Sequence, residues 1–249
     1  RLPPLGTHTE VIFVDGASTD GTRDRILEQI ERHPEMDIKL IDQVPRKDSD
    51  AAAAETTEPT TPGKPVRMLR LGKGDAVRKG FAAATGDVLF ILDSDLTVPP
   101  EDLPKFLEPI ATGRADFVNG TRLVYPQEDE AMMPVRYMAN KFASLVFTWL
   151  LDQPIKDTLC GTKVLRRSDY QRLAANRAHF GDFDPFGDFD LLFGAAYLGL
   201  RIVEVPVRYR ARTYGHSKVK LFEHGPLILK MMLVGFRRLK LAPWLERRG

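Results

Sequence analysis

Two aspartates, Asp93 and Asp95, follow an apolar segment, and their types and spacing could support chemistry. The segment Val88–Leu92 lies between a glycine and a pair of prolines, which predicts a strand buried on both faces of a parallel sheet. In open α/β sheets, ligands bind beyond the carboxyl ends of the strands. If the backbone stays extended, both carboxylates point the same way and could hold a divalent cation together with a diphosphate. The alternative is that they only form a turn.

Further polar residues lie at predicted strand and helix ends. Asp15 follows the strand Val11–Val14, and Lys73 opens a helix whose free amide groups can bind an anion. Asp188 and Asp190 begin an apolar helix. Each residue also has an alternative role without chemistry. The aspartates can stabilise a turn or cap the start of a helix, and the lysine can be a hydrated surface residue.

Basic residues near the ends of other elements are candidates for binding phosphate. Arg122 follows a predicted strand, and Arg136 and Asn140 lie four residues apart on one polar stripe of a predicted helix. Arg212 and Lys218 belong to a polar loop, for which simple hydration is the alternative. Arginine suits phosphate because its planar fork makes two parallel hydrogen bonds.

The elements that must position these residues follow from hydrophobic spacing. Between residues 134 and 151, apolar side chains recur at helical spacing and are predicted to face the core. They are Met138, Phe142, Leu145, Val146 and Trp149. The segment 202–210 is predicted to be an edge strand, because Pro206 cannot donate a ladder hydrogen bond. The segment 45–65, rich in Ala, Thr and Pro, is predicted to be a flexible insertion.

Composition limits the possible classes of protein. The 249 residues, of which 43% are hydrophobic, suffice for one domain with an elaboration. A net charge of +2 gives no argument for nucleic acid binding. The single cysteine, Cys160, excludes an internal disulfide and fits a reducing compartment. No signal peptide or apolar run of membrane-spanning length is recognisable, and the chain, which starts without Met, is expected to be part of a longer protein.

The carboxyl-terminal segment is predicted to differ from the rest of the chain. We predict a catalytic domain over residues 1–224 and an amphipathic basic tail over residues 225–249. Apolar residues of this tail alternate with Lys230, Arg237, Arg238 and Lys240. Such a segment either lies on an anionic membrane surface or completes the fold, and the sequence leaves both possibilities open.

Taken in chain order, the motifs resemble those of the family 2 glycosyltransferases, which use nucleotide sugars. The motifs are Val14–Thr22, Gly72–Gly74, Asp93–Asp95, Gly120–Arg122, Asp157–Lys163, Phe186–Leu192 and Arg212–Lys218. Each is weak alone, but their order and spacing are specific. Within the family, the chain looks most like the branch of dolichyl-phosphate mannose synthases and related polyprenyl-phosphate sugar transferases. The resemblance implies an α/β fold of the GT-A, Rossmann-like type, with a mostly parallel central sheet and helices on both faces.

The resemblance implies which residues bind the donor. Asp15 and Lys73 match positions at the nucleotide. Asp93 and Asp95 match the Asp-x-Asp motif, where Mg²⁺ or Mn²⁺ bridges to the donor diphosphate. Thr97 stands where lipid-phosphate transferases often have glutamine, and this departure leaves a metal-binding role for Thr97 open.

The resemblance also implies acceptor-binding and catalytic residues. Asp188 and Asp190 match the acidic element near the sugar and the acceptor, where many members keep a catalytic base. Asn140, which we also place at the acceptor phosphate, stands where the synthases commonly have serine. The basic positions associated with the acceptor or donor phosphate are matched by Arg122, Arg136, Arg212 and Lys218. Of these, the loop residues 212 and 218 are also candidates for a catalytic role.

These assignments predict an inverting, metal-dependent enzyme that passes a hexose from a UDP- or GDP-sugar to a polyprenyl or dolichyl phosphate at the cytoplasmic face of a membrane. A lipid phosphate is already ionised, so it needs cations to hold it rather than a base. Two alternatives stay open. One is a soluble transferase that uses a hydroxyl acceptor with Asp188 or Asp190 as the base, and the other is a non-catalytic domain that only binds partners.

One departure from the family concerns the start of the chain. Family members begin with a strand and a Val-Ile-Pro-x-x-Asn-Glu-like turn that forms one wall of the nucleotide pocket, and no segment here matches it. We therefore expect this chain by itself to bind nucleotide poorly, and full-affinity binding by it would contradict that expectation. The sequence does not determine the nucleotide base, the sugar, the lipid or the oligomeric state.

Overall fold

The computed structural model describes residues 2–44, 72–122, 134–180, 187–208 and 221–246. For residues 134–137, 139, 140 and 221–224 it describes the backbone alone. The predicted insertion at 45–65 and the loop with Arg212 and Lys218 therefore lie outside the described residues. The chain forms two compact units. The N-terminal unit consists of Gly6–Gly86 and Phe183–Gly187, and the C-terminal unit consists of Arg1–Leu5, Asp87–Asp182 and Asp188–Gly249.

The N-terminal unit is built around two parallel strands. The elements are β1 (Glu10–Asp15), α1 (Thr22–Arg32), β2 (Asp37–Asp42) and α2 (Lys73–Ala83). The strands pair in parallel from Glu10 opposite Asp37 to Asp15 opposite Asp42, so β1, α1 and β2 form a β-α-β unit, whose first strand contains the predicted run Val11–Val14. Helix α2 packs on β1 so closely that a Cβ at Gly80 would lie 3.3 Å from Val14 Cγ2.

Glu10 joins three segments of the N-terminal unit. Its Oε1 accepts hydrogen bonds from the backbone N–H groups of Thr85 at 2.6 Å and Gly86 at 2.7 Å, and its Oε2 accepts one from Lys39 Nζ at 2.7 Å. Burial alone would raise the pKa of Glu10, but these hydrogen bonds outweigh it and lower the pKa to about 2. The carboxylate therefore stays ionised and ties β1 to β2 and to the segment that follows α2.

The C-terminal unit contains a mixed four-stranded sheet. Its strands are β3 (Val88–Phe90), β4 (Phe117–Thr121), β5 (Lys163–Arg166) and β6 (Ile202–Pro206). They lie side by side in the order β3-β5-β4-β6. Strand β5 is antiparallel to both of its neighbours, whereas β4 and β6 are parallel. Within the described sheet β6 is an edge strand, as Pro206 predicted. The strand predicted over 88–92 is shorter and, contrary to the prediction of a parallel environment, it pairs antiparallel with β5 at the other edge of the described sheet. Its middle residue Leu89 is buried, while Val88 and Phe90 are half-buried.

The C-terminal unit also contains the described helices of the rest of the chain. They are α3 (Leu103–Ala111), preceded by a 3₁₀ turn at Pro100–Asp102, then α4 (Pro134–Leu151), α5 (Arg167–Ala175), a 3₁₀ turn at Arg177–His179, α6 (Asp188–Tyr197), α7 (Leu221–Gly235), a π-helix at Phe236–Leu241 and α8 (Ala242–Glu246). In the core, the ring of Phe147 from α4 stacks on Phe189 and Phe193 of α6, with centroids 5.2 and 6.0 Å apart. The predicted division between residues 224 and 225 falls inside α7. No helix in the described ranges is long and apolar enough to cross a bilayer.

The predicted core stripe of α4 faces outward instead. Met138 is 70% exposed and Leu145 is 64% exposed, with Phe142 and Trp149 similarly open. Val146 is half-buried. The face that enters the core carries Phe147, Leu150 and Leu151. The prediction was wrong because α4 is apolar on two sides, and helical spacing identifies a stripe without showing what covers it.

Candidate functional site

The two aspartates after β3 lie on a tight turn. The backbone N–H of Leu96 donates to Asp93 O at 3.1 Å, and Leu96 has a φ of 50°, a left-handed conformation that is uncommon for a residue with a Cβ. Asp95 Oδ1 accepts hydrogen bonds from the N–H of Thr97 at 3.2 Å and from its Oγ1 at 2.8 Å. The backbone is thus not extended from Asp93 to Asp95, and the condition under which the sequence placed both carboxylates on one side is not met.

The residues on this turn nevertheless fit a cation that is shared with a substrate. Both Asp93 and Asp95 are half-buried rather than sealed in the core. Within the described ranges, no cluster of three or more His, Cys, Asp or Glu side chains could hold a metal without help. Magnesium is commonly held by one or two carboxylates plus substrate phosphates, so a two-carboxylate site leaves the positions that a diphosphate would fill. The predicted role of these residues in metal binding stays a prediction.

Arg122, at the end of β4, forms a two-pronged ion pair with Asp157. Arg122 Nε donates to Asp157 Oδ2 at 2.7 Å, Nη2 donates to Oδ1 at 2.9 Å, and the backbone N–H donates to Oδ2 at 3.1 Å. Burial would raise the pKa of Asp157, but the hydrogen bonds and charge of Arg122 outweigh it, so the pKa is lowered. The pair fixes the direction of the Arg122 guanidinium, and 24% of the Arg122 side chain stays exposed. Its predicted role in phosphate binding stays a prediction.

Asp188, in the first turn of α6, pairs with a lysine in the core. Lys163 Nζ donates to Asp188 Oδ1 and to Cys160 O, both at 2.6 Å, and the Lys163 side chain is fully buried. The sequence motif Asp157–Lys163 contained this lysine, but sequence reasoning gave it no role. A charged residue directly before the apolar pair Val164-Leu165 was the signal, because a lysine within a buried strand needs a partner.

Asp190, two residues further along α6 and still in its first turn, has its own cation. Arg177 Nε donates to Asp190 Oδ2 at 2.9 Å, while Arg177 Nη2 donates to the Tyr170 hydroxyl at 3.3 Å. Burial would lower the pKa of Arg177, but the charge of Asp190 outweighs it and raises the pKa. Sequence reasoning did not identify Arg177, which lies in the 3₁₀ turn after α5 and has no distinctive local pattern. Both predicted catalytic carboxylates therefore already hold a cation.

In the N-terminal unit, the predicted nucleotide-binding residues lie at the ends of β1 and α2. Asp15 is buried, and its carboxylate accepts the N–H of Ser18 at 3.3 Å. Gln43 was missed by sequence reasoning: its N–H donates to Asp15 O at 2.8 Å, and its Nε2 donates to Gly72 O at 2.9 Å, directly before Lys73. This glutamine thus joins the Asp15 turn to the start of α2.

A glycine that is distant in sequence, Gly187, also lies against the amino end of α2. Gly187 has a φ of 73°, and a Cβ there would lie 2.7 Å from Gly74 Cα, so the position requires glycine. Of the remaining predicted residues, Arg136 and Asn140 lie on α4 in the range where only the backbone is described. Arg212 and Lys218 lie outside the described residues.

The sequence matches glycosyl transferase family 2 over residues 5–174. It is 29% identical over 234 residues to a dolichol-phosphate mannosyltransferase of Pyrococcus furiosus, a match covering 91% of this chain and 56% of that protein. It is also 29% identical over 219 residues to an undecaprenyl-phosphate mannosyltransferase of Micrococcus luteus, covering 88% of this chain and 79% of that protein. The chain thus spans little more than half the length of the archaeal relative.

The structure resembles a glucosyl-3-phosphoglycerate synthase from Mycobacterium tuberculosis. Against its complex with phosphoglyceric acid, the TM-score is 0.57 at 22% identity, covering 92% of this chain and 69% of that one. Against its complex with Mn²⁺, UDP and glucosyl-3-phosphoglycerate, the TM-score is 0.55 at 20% identity, covering 92% and 68%. These similarities confirm the predicted GT-A fold. Together with a family match that extends over more than half of the sequence, they show that this chain belongs to glycosyl transferase family 2.

Proposed function

We propose that this chain is the catalytic part of an enzyme that transfers a hexose, with inversion, from a nucleotide sugar to a polyprenyl phosphate. The observation that carries the proposal is the similarity, over about nine-tenths of the chain, to two relatives named for dolichol-phosphate and undecaprenyl-phosphate acceptors. The retained carboxylates and cations of the C-terminal unit support a catalytic rather than a purely binding role.

On the donor side, Asp93 and Asp95 would hold Mg²⁺ or Mn²⁺, and Asp15 and Lys73 would contact the nucleotide. The cation, when bound, neutralises the negative charge that develops on the departing nucleoside diphosphate. The turn at Leu96 and the hydrogen bonds from Thr97 fix the orientation of Asp95, which reduces the cost of ordering the ligand. The Mn²⁺ and UDP in the mycobacterial synthase complex support this assignment.

On the acceptor side, cations are needed more than a base. A phosphate monoester is ionised at neutral pH, so its oxygen can attack the sugar without losing a proton to the protein. Arg122 is our candidate for holding that phosphate among the described residues, and Asp157 fixes the direction of its guanidinium. Asp188 and Asp190 each hold a buried or half-buried cation, Lys163 and Arg177. This pairing favours a role in positioning the sugar over a role as a general base.

A surface formed by α4 and the carboxyl-terminal helices suits a membrane that contains the acceptor. Of the fifteen large hydrophobic residues exposed in the described part of the chain, four lie on α4 and six lie between residues 229 and 245. The two groups meet where Trp149 stacks on Phe236, with ring centroids 5.9 Å apart. Arg237 and Arg238 belong to the same helical segment. We call this the α4–α8 surface and propose that it lies on an anionic bilayer.

The proposal is tested by a transfer assay on the full-length protein. The protein is incubated with Mn²⁺ or Mg²⁺, radiolabelled UDP- and GDP-sugars and a short polyprenyl phosphate. We expect label to enter the organic phase, and we expect Asp95→Asn to reduce transfer by at least about 100-fold, because the cation that would neutralise transition-state charge loses a carboxylate ligand. Asp102→Asn, which alters an aspartate that pairs with Lys105 among the described residues, is the matched control and is expected to keep full activity.

Other outcomes would point to the alternatives. Metal-dependent release of nucleoside diphosphate without labelled lipid would favour a hydroxyl acceptor, with Asp188 or Asp190 as the base. Neither transfer nor release by the full-length protein would contradict a catalytic role and favour a binding domain.

A further inference from the structure

Glu204 on the edge strand β6 accepts hydrogen bonds from the loop before β5. Its Oε1 accepts the backbone N–H of Lys156 at 2.8 Å and that of Asp157 at 3.1 Å. The same oxygen lies 3.3 Å from Asn119 Nδ2. Asn119 on β4 stands directly opposite Glu204 in the parallel register, so the two side chains act from neighbouring strands.

The backbone of Asp157 is thereby held at both of its polar groups. Glu204 accepts its N–H, and Asn119 Nδ2, which is fully buried, donates to its carbonyl oxygen at 2.7 Å. The carboxylate of Asp157 in turn binds the Arg122 guanidinium at two points. A continuous set of hydrogen bonds thus runs from Glu204 through Asp157 to the guanidinium.

We propose that Glu204 is a positioning residue for acceptor-phosphate binding: it fixes the backbone at Asp157, which fixes the direction of Arg122. The inference rests on the proposed function, because it takes Arg122 to be the group that binds the acceptor phosphate. It assigns no contact between Glu204 and substrate. Glu204 acts on Arg122 indirectly, through the main chain and side chain of Asp157.

The chemistry of the side chain suits this role. Two of the three donors are main-chain N–H groups that no other element satisfies within hydrogen-bond distance in the described structure. The contact at Lys156 is exposed to solvent, whereas the contact at Asp157 is part-buried. A part-buried N–H left without an acceptor costs free energy, so an acceptor oxygen on β6 stabilises the position of the Asp157 backbone. Burial raises the pKa of Glu204, and the hydrogen bonds from Lys156 and Asp157 oppose that rise. Either an ionised carboxylate or an uncharged amide oxygen can fill the role.

The test compares Glu204→Ala with Glu204→Gln in the full-length protein. The alanine variant removes the acceptor oxygen, whereas the glutamine variant keeps an oxygen of the same reach. For Glu204→Ala we expect the KM for a short polyprenyl phosphate, and its Kd by equilibrium titration, to rise about tenfold, because a misplaced cation loses charge-assisted hydrogen bonds. We expect the KM for the nucleotide sugar to stay within about twofold. Glu204→Gln should recover most of the loss, and Glu31→Ala, an exposed glutamate on α1, is the matched control.

Two results would overturn the inference. The first is an unchanged acceptor Kd in Glu204→Ala. The second is a loss of acceptor and donor affinity together with a lower unfolding temperature, which would indicate a general structural role. Hydrogen exchange at the Lys156 and Asp157 amides gives a readout without turnover, and faster exchange in Glu204→Ala alone is expected. A wild-type protein that binds the lipid phosphate but transfers no sugar would contradict the proposed function, while the Kd comparison would still decide the role of Glu204.

Discussion

At the scale of single residues, the C-terminal unit pairs each buried acidic group of its candidate site with its own cation. The pairs are Asp157 with Arg122, Asp188 with Lys163, and Asp190 with Arg177. A buried pair gains little over an apolar replacement, but loss of one partner leaves an uncompensated charge. These carboxylates are therefore fixed in place by contacts whose loss would destabilise the fold.

The Lys163 pair gives a direct test of this arrangement. We expect Lys163→Met to lower the free energy of unfolding by about 3–5 kcal/mol, because Asp188 is left buried without its cation. Adding Asp188→Asn to Lys163→Met should recover part of the loss, since the uncompensated charge is then removed. Urea unfolding measures both variants. Lys105→Met, which breaks the exposed pair with Asp102, should change stability by less than about 1 kcal/mol, and an equal loss in both lysine variants would contradict the argument.

At the scale of elements, the N-terminal unit depends on side chains that join strands to loops. Glu10 on β1 binds Lys39 on β2 and the amides of Thr85 and Gly86. Gln43 plays a similar part at the opposite end of β1, where it joins the Asp15 turn to α2. Because β1 and β2 form only a two-stranded sheet among the described residues, such links compensate for a small ladder.

Replacement of Glu10 should make the free energy of unfolding less sensitive to low pH. Its pKa in the folded protein is about 2, below its ordinary value of 4.5, so its contribution is fully present above pH 4.5 and is lost as the pH falls toward 2. We expect Glu10→Gln to cost about 2 kcal/mol at pH 7 and roughly half of that at pH 3. Urea unfolding at both pH values provides the measurement. Glu31→Gln serves as the exposed control, and a cost that does not shrink in acid would show that the charge of Glu10 is not responsible.

At the scale of the whole molecule, the distribution of exposed apolar side chains is uneven. The described part of the chain concentrates them on the α4–α8 surface, where Lys240 lies 5.5 Å above the ring of Trp149 and also pairs with Asp152. Aromatic rings beside basic groups suit the boundary between headgroups and acyl chains. Both possibilities raised by the sequence for the tail are thus compatible, since the tail packs on α4 through Trp149 and Phe236 and still presents an apolar face.

Vesicle binding tests this surface. We expect the protein to float with vesicles that contain anionic phospholipid, and less so as salt increases, because the basic residues are screened. Replacing Phe142 and Leu145 by Gln should weaken partitioning at least about tenfold, since each side chain loses an apolar contact. Leu27→Gln, on the exposed side of α1, is the matched control. Equal partitioning of both variants would rule out the α4–α8 surface as the site of contact.

The sequence predicted several of the elements and placed several aspartates at their ends. Alternation between apolar runs and polar turns located β1, part of β3 and the helices α2, α4 and α6, because backbone hydrogen bonding and burial impose their period on the chain. Asp15, Asp93 and Asp188 could likewise be placed at element ends from local pattern alone. The order of such motifs was enough to predict the family, which the match over residues 5–174 confirmed.

Only the tertiary structure decided which groups meet. The partners Lys163, Arg177 and Glu204 lie 25, 13 and 47 positions from the residues that they bind, so no local pattern could join them. The outward stripe of α4 depends on neighbours that the sequence does not name. Local spacing by itself determined where several strands and helices lie and which carboxylates stand at their ends, because periodicity is a property of consecutive residues. Pairing, burial and direction depend on contacts between distant segments, and these exist only in the folded chain.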